Sequence, residues 1–124
     1  MDTFIFSEIV VANEMIAMVD IDYFRSVALG FPGTNEEPHF EVWSFRFKGK
    51  IFSTWWEKDD KAMVKLTPEQ QSVFCAMGDQ VFYPVPGSWG QKGATFVDLK
   101  RVRKDMFKDA LKLAYEGVAM KKKK

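Results

Sequence analysis

Residues 41–56, "EVWSFRFKGKIFSTWW", constrain the fold more than any other part of the chain. Two β-rich stretches flank Lys48-Gly49. Period-two alternation around a two-residue turn describes an antiparallel hairpin, with glycine supplying the positive φ that such a turn needs. The simplest register pairs Phe47 with Lys50, Phe45 with Phe52 and Trp43 with Thr54. One face then holds Trp43, Phe45, Phe47, Phe52 and Trp56, and is assigned to the core. The other holds Ser44, Arg46, Ile51, Ser53 and Trp55, because neighbouring residues on a strand point to opposite sides. If "EKDDK" is a five-residue turn, the next strand, "AMVKL", buries Val64 and Leu66 and sets Lys65 opposite Ser53. The outer face would collect Arg46, Lys65, Trp55, Ser44 and Ser53. A cation beside an exposed indole can grip a phosphate and a flat ring.

The remaining elements follow from caps and turns. "DIDYFRSVALGFPG" reads as a helix capped by Asp20 and stopped by Gly30 and Pro32, with Ile21, Phe24 and Ala28 on its apolar side. "FPGTNEEPHF" reads as a polar turn. "TPEQQSVFCAM" is a second helix, with Thr67 as cap, Pro68 in the first turn and Glu69 adding early negative charge. "QVFYPV" and "ATFVDL" are two further strands. A long helix over roughly 104–119 closes the chain, with Met106, Phe107, Ala110, Leu111, Ala114 and Val118 on its apolar side. The order α-β-β-β-α-β-β-α, with short connections, implies an α+β two-layer domain: a single antiparallel sheet of about five strands with helices on one face.

At 124 residues the chain is one domain, and its 47% hydrophobic content suffices for a packed core. Ile5, Ile9, Ala12, Ile16 and Val19 recur at helical spacing. Residues 1–17 are therefore read as an apolar extension that packs on the domain or on a second copy, 18–120 as the domain, and 121–124 as a lysine tail. The lone Cys75 forms no intrachain disulfide, the longest apolar stretch is too short to span a membrane, and the N-terminus lacks a basic-led leader. A cytoplasmic protein without membrane partners is expected. Net charge is +1, but it is unevenly spread. Residues 1–60 carry 5 basic and 11 acidic side chains, and residues 61–124 carry 13 and 6. A local positive field at the C-terminal half follows.

Two basic segments are candidates for anion binding. In "VPGSWGQKG", Trp89 could stack on a base while Lys92 meets a phosphate and the glycine amides form an anion nest. Alternatively the loop folds back and Trp89 plugs the sheet edge, which the cost of exposing an indole favours. In "KRVRKD", Lys100, Arg101, Arg103 and Lys104 crowd the start of the last helix, where cations are disfavoured unless an anion binds. Asp98, Asp105 and Asp109 could instead neutralise them in surface pairs. Glu36, Glu37, Glu41, Asp59 and Asp60 have no spacing that fixes a metal geometry, so no metal site is expected. His39 stands alone beside Pro38, Cys75 reads as buried and inert, and no nucleotide, zinc or nucleophile motif is present. Neither catalytic residues nor a cofactor are expected.

"ALGFPGTNEEPHF", "SFRFKGKIFSTW", "VKLTPEQQ" and "FYPVPGSWGQKGAT", followed by a basic helix, resemble the MmcQ/YjbR family over about Asp20 to Met120. The "PVPGSWG" piece is the most specific of these. The resemblance implies a fold like that of the bacterial frataxins and, through two hairpins likened to a double wing, DNA binding. The resulting expectation is a non-enzymatic module binding DNA or another polyanion through Arg46, Lys65, Trp55, Trp89, Lys92, Lys100, Arg101, Arg103 and Lys104. The alternatives are an assembly domain, homodimeric through its N-terminal segment, and a frataxin-like domain for a small ligand or metal.

Overall fold

The structure, a computed structural model, describes residues 19–120. The apolar extension, any dimer contact made through it, and the lysine tail fall outside the described residues. Helix α1 (Ile21–Gly30) leads into strands β1 (Thr34–His39), β2 (Val42–Phe47), β3 (Lys50–Trp56) and β4 (Lys61–Lys65). Helix α2 (Pro68–Cys75), strand β5 (Phe82–Pro84), the one-turn helix α3 (Ser88–Gln91), strand β6 (Ala94–Asp98) and helix α4 (Lys104–Ala119) complete it. The strands form one antiparallel sheet in the order β1-β2-β3-β4-β6-β5.

Local chemistry sets the helix starts. The Asp20 carboxylate accepts from the Tyr23 amide at 2.8 Å, capping α1. At α2, Thr67 and Gln70 form a reciprocal capping box, each side chain accepting from the other's backbone amide at 3.0–3.1 Å. Phe24 and Ala28 from α1, Phe74 from α2, and Phe107, Ala110, Leu111 and Ala114 from α4 all enter one core. There they meet Phe45, Phe52, Ala62, Val64 and Val97 of the sheet, so the three longer helices share one face. Phe24 stacks on Phe45 at 4.7 Å between centroids and meets the edge of Phe107 at 4.8 Å.

The sheet has six strands because "TNEEPH" is a strand and not the polar turn that its composition suggests. β1 is an edge strand, where glutamates can face solvent and a proline costs no central ladder bond. Glu36 is held by Arg25 of α1 at 2.9 Å.

The register departs from the alternation in two places. Phe45 pairs with Ser53 and Arg46 with Ile51, leaving Phe52 as an extra residue in a β-bulge. Past the bulge the parity of β3 inverts, so Trp55 lies opposite Trp43 on the helix side and packs against the main core. Trp56 turns to the other face. The turn into β4 is also one residue shorter than expected, because Trp56 pairs directly with Lys61. Asp60, at φ 53° in the left-handed region, closes it. The two shifts cancel, which leaves Ala62 and Val64 in the core as the alternation requires.

The helix-free face is also not the polar surface that simple alternation describes. Met63, Ala94 and Phe96 are buried there, with Ile51, Trp56, Tyr83 and Val85 packed around them. The Lys61 ammonium sits 3.9 Å from the Phe96 ring centroid and 5.2 Å from that of Trp56.

Candidate nucleic-acid interface

The hairpin tips decide what this sheet can present. The β2–β3 tip is Lys48-Gly49, both at positive φ, and the β5–β6 tip is the segment Val85–Gly93 that contains α3. β3 starts and β4 ends at the same edge of the sheet, and Lys65 at the end of β4 pairs with Ala94 at the start of β6. Both tips therefore project from one end of the sheet. Three strand spacings separate them, about 14 Å.

The longer tip is closed backbone to backbone. A Cβ on Gly90 would collide with the main chain of Val85, and one on Gly93 with the main chain of Leu66 and Thr67. Gly93 also holds φ +114°, so glycine is required there on both counts. From α2, the Gln71 amide donates to the carbonyls of Gly90 at 2.9 Å and Ala94 at 3.0 Å. The Val85 amide donates to the Ala94 carbonyl at 3.0 Å. With the backbones this close, no space remains under the tip for an indole. Trp89 is 67% exposed, which corrects the expectation that it folds back as a plug. Lys92 is exposed beside it.

Of the other residues singled out in the sequence, Arg46 and Lys65 do face the helix-free side. Arg46 is engaged there: its guanidinium donates to the Ser44 hydroxyl at 2.8 Å and lies 3.7 Å from the Glu37 carboxylate and 3.5 Å from His39 Nδ1. Lys65 is exposed and makes no ion pair among the described residues. Trp55 does not join them. The bulge turns it to the helix side, half-buried, with the Arg25 guanidinium 5.7 Å from its ring. Ser53 turns in with it, its hydroxyl donating to the Met63 carbonyl at 2.7 Å. The hydrogen bond from Arg25 to Glu36 raises the guanidinium pKa above its ordinary value and keeps this cation fixed.

Lys100, Arg101, Arg103 and Lys104 lie at the far end of β6, a strand length from Lys92. Only Lys104 belongs to α4; the others form the turn before it. Asp98 organises that turn, accepting from the Lys100 amide at 3.0 Å and from Arg101 Nε at 2.9 Å. Arg103 pairs with Asp105 at 2.9 Å, and the Lys104 ammonium lies 5.2 Å from the Tyr23 ring centroid. The nine side chains thus divide: Lys65, Trp89 and Lys92 belong to the end that carries both tips, Arg46 starts near it but its guanidinium reaches back along the sheet to Ser44, Glu37 and His39, four belong to the opposite end, and Trp55 packs against the core. Sequence reasoning missed Gln71, whose sign was a polar side chain on the face of α2 that the β5–β6 tip must cross.

Burial raises the Cys75 thiol pKa, which holds it in the less nucleophilic form. Among the described residues no group of three His, Cys, Asp or Glu side chains is placed to hold a metal ion, and no helix is long and apolar enough to cross a membrane.

The fold has a solved counterpart. The crystal structure of Deinococcus radiodurans protein DR2400, which carries a DUF419 domain, superposes with a TM-score of 0.71 at 20% identity. The match covers 87% of this chain and 82% of that one, and at this identity it bears on the fold. No curated protein matches the sequence. The YjbR family model matches residues 29–117, from the last turn of α1 almost to the end of α4 and so through both tips, and the chain belongs to the YjbR family.

Proposed function

We propose that this protein is a non-enzymatic module that binds nucleic acid through the end of the sheet carrying both hairpin tips. The observation that carries the reading is Trp89, an indole 67% exposed on a tip whose backbone is locked by Gly90, Gly93 and Gln71. An indole on a fixed backbone has only two side-chain torsions to restrict on stacking against a base, and every base offers a π-face. Lys92 beside it and Lys65 on the adjoining strand supply phosphate contacts, and Lys48 on the second tip extends the track. These contacts go to the backbone and to ring faces and not to base edges, so the binding is sequence-tolerant. A single strand, whose bases are accessible for stacking, is the preferred form.

The test is fluorescence anisotropy of a labelled single-stranded oligonucleotide, read alongside tryptophan quenching. With three phosphate contacts, affinity falls roughly 20-fold as salt rises about fourfold. Trp89→Ala weakens binding by about tenfold, the scale of one lost base–aromatic stack. Salt-insensitive binding, or Trp89→Ala binding as well as the parent chain, would overturn the reading.

A further inference from the structure

A half-open surface cavity of about 350 Å³ lies at the end of the sheet that carries both tips, between the strand ends and the helices α2 and α4. Leu66, Leu113 and Val118 give it an apolar lining, and Gly117 leaves it open, since a Cβ there would meet nothing within 4 Å. Its polar groups divide by charge. On the strand and α2 side stand Lys50 and Gln70; on the α4 side stands Glu116. Lys50 pairs with Phe47, a helix-side residue, so its side chain leaves the sheet toward the cavity. The Gln70 carbonyl oxygen is committed to the Thr67 amide at 3.0 Å, which leaves its amide nitrogen as a donor. Lys50 and Glu116 line the same space, yet neither forms an ion pair among the described residues. Lys65 and Thr67 also border the cavity, but Lys65 projects to the other face of the sheet and the Thr67 hydroxyl caps α2.

We propose that this cavity is a binding site for a small zwitterion with an apolar side chain, of the class of an aliphatic amino acid. The carboxylate meets Lys50 and the Gln70 amide nitrogen, the ammonium meets Glu116, and the hydrocarbon lies against Leu66, Leu113 and Val118. A volume in this range suits a ligand of that size, and a mostly apolar lining with a few convergent polar groups is the usual composition of small-molecule sites. A purely anionic or purely cationic ligand would leave one of the two charges facing it unmatched.

The proposal stands independently of nucleic-acid binding and is tested with the full chain, isotopically labelled for NMR. The probes are L-leucine, 4-methylpentanoate, which lacks the ammonium, and isopentylamine, which lacks the carboxylate. Leucine is expected to shift the amides of residues 65–70 and 113–118 saturably below about 1 mM. Each analogue should bind at least about tenfold more weakly, the scale of one lost charge-assisted hydrogen bond. Lys50→Gln should lower leucine affinity while leaving isopentylamine unchanged, and Glu116→Gln should lower it while leaving 4-methylpentanoate unchanged. Gly117→Phe fills the cavity from open space and should abolish leucine binding without altering oligonucleotide anisotropy; Gly117→Leu serves if the phenylalanine variant is unstable. Equal binding of all three probes, no saturable shift, or full leucine binding by the filled variants would overturn it.

Discussion

The two ends of β6 carry similar numbers of cations, and the contrast lies in the two arginines of one end and the two lysines of the other. At the far end, Arg101 and Arg103 are each held by an aspartate at 2.9 Å, and Asp98 turns the chain into α4 while doing so. At the near end, Lys65 and Lys92 are exposed without ion pairs among the described residues, and the same end carries the exposed Trp89. The first arrangement consumes charge to shape a turn. The second leaves charge available, and its rigidity comes from glycine packing and from an uncharged glutamine. Counting lysines and arginines along the sequence cannot separate the two, because the difference lies in where the carboxylates fall.

The strongest way to break the comparison is to unlock the near end. Gly90→Ala forces a Cβ into the main chain of Val85, and its expected cost is about 3 kcal/mol by urea denaturation, as befits a backbone collision. Trp89→Ala should leave stability within about 0.5 kcal/mol, since the indole supports nothing below it. Gln71→Ala removes two amide-to-carbonyl bonds to the tip. Its expected cost is about 1–2 kcal/mol, with faster amide exchange confined to residues 85–94.

A pH series reaches the far end. Burial, with Asp98 and Asp59 nearby, raises the pKa of Tyr83, and burial with Asp105 and Asp109 raises that of Tyr23. The folded state thus holds these protons more tightly than the unfolded chain does. The stability they contribute is complete below the ordinary tyrosine value, about 10, and falls as pH rises through the raised values. Melting temperature should decline over that alkaline range, and less so in Tyr83→Phe. A small effect is also expected for Arg101→Gln, an exposed pair worth about 0.5 kcal/mol, with oligonucleotide affinity changing less than in Lys92→Gln. The reverse order would show that the paired end is the interface.

Much of the fold was legible in the sequence because its signals are local. Asp20, Thr67 and Pro68 mark helix starts by chemistry that acts within one turn, and Lys48-Gly49 fixes a hairpin tip by its own φ angles. The orientation of Trp55 was not legible, since alternation counts residues and cannot register the unpaired Phe52. The shortened Asp60 turn then restored the parity of β4, so the buried residues of that strand conformed to the pattern despite both departures. β1 was hidden for a different reason. An edge strand is paired on one side only and tolerates glutamates and proline that exclude a central strand. At the candidate site, Trp89 and Lys92 were readable as residue types, whereas their presentation depends on Gln71, some twenty positions away, and on how closely Val85 approaches Gly90.

The character of the two outermost strands has a consequence for how this molecule meets others. β1 is an edge strand that carries the half-exposed Glu37 and Pro38, and β5 is three residues long and ends in Pro84. Short length, charge and missing amides discourage another chain from extending the sheet by adding a strand. Among the described residues, borders blunted in this way work against edge-to-edge association of an otherwise aromatic-rich sheet.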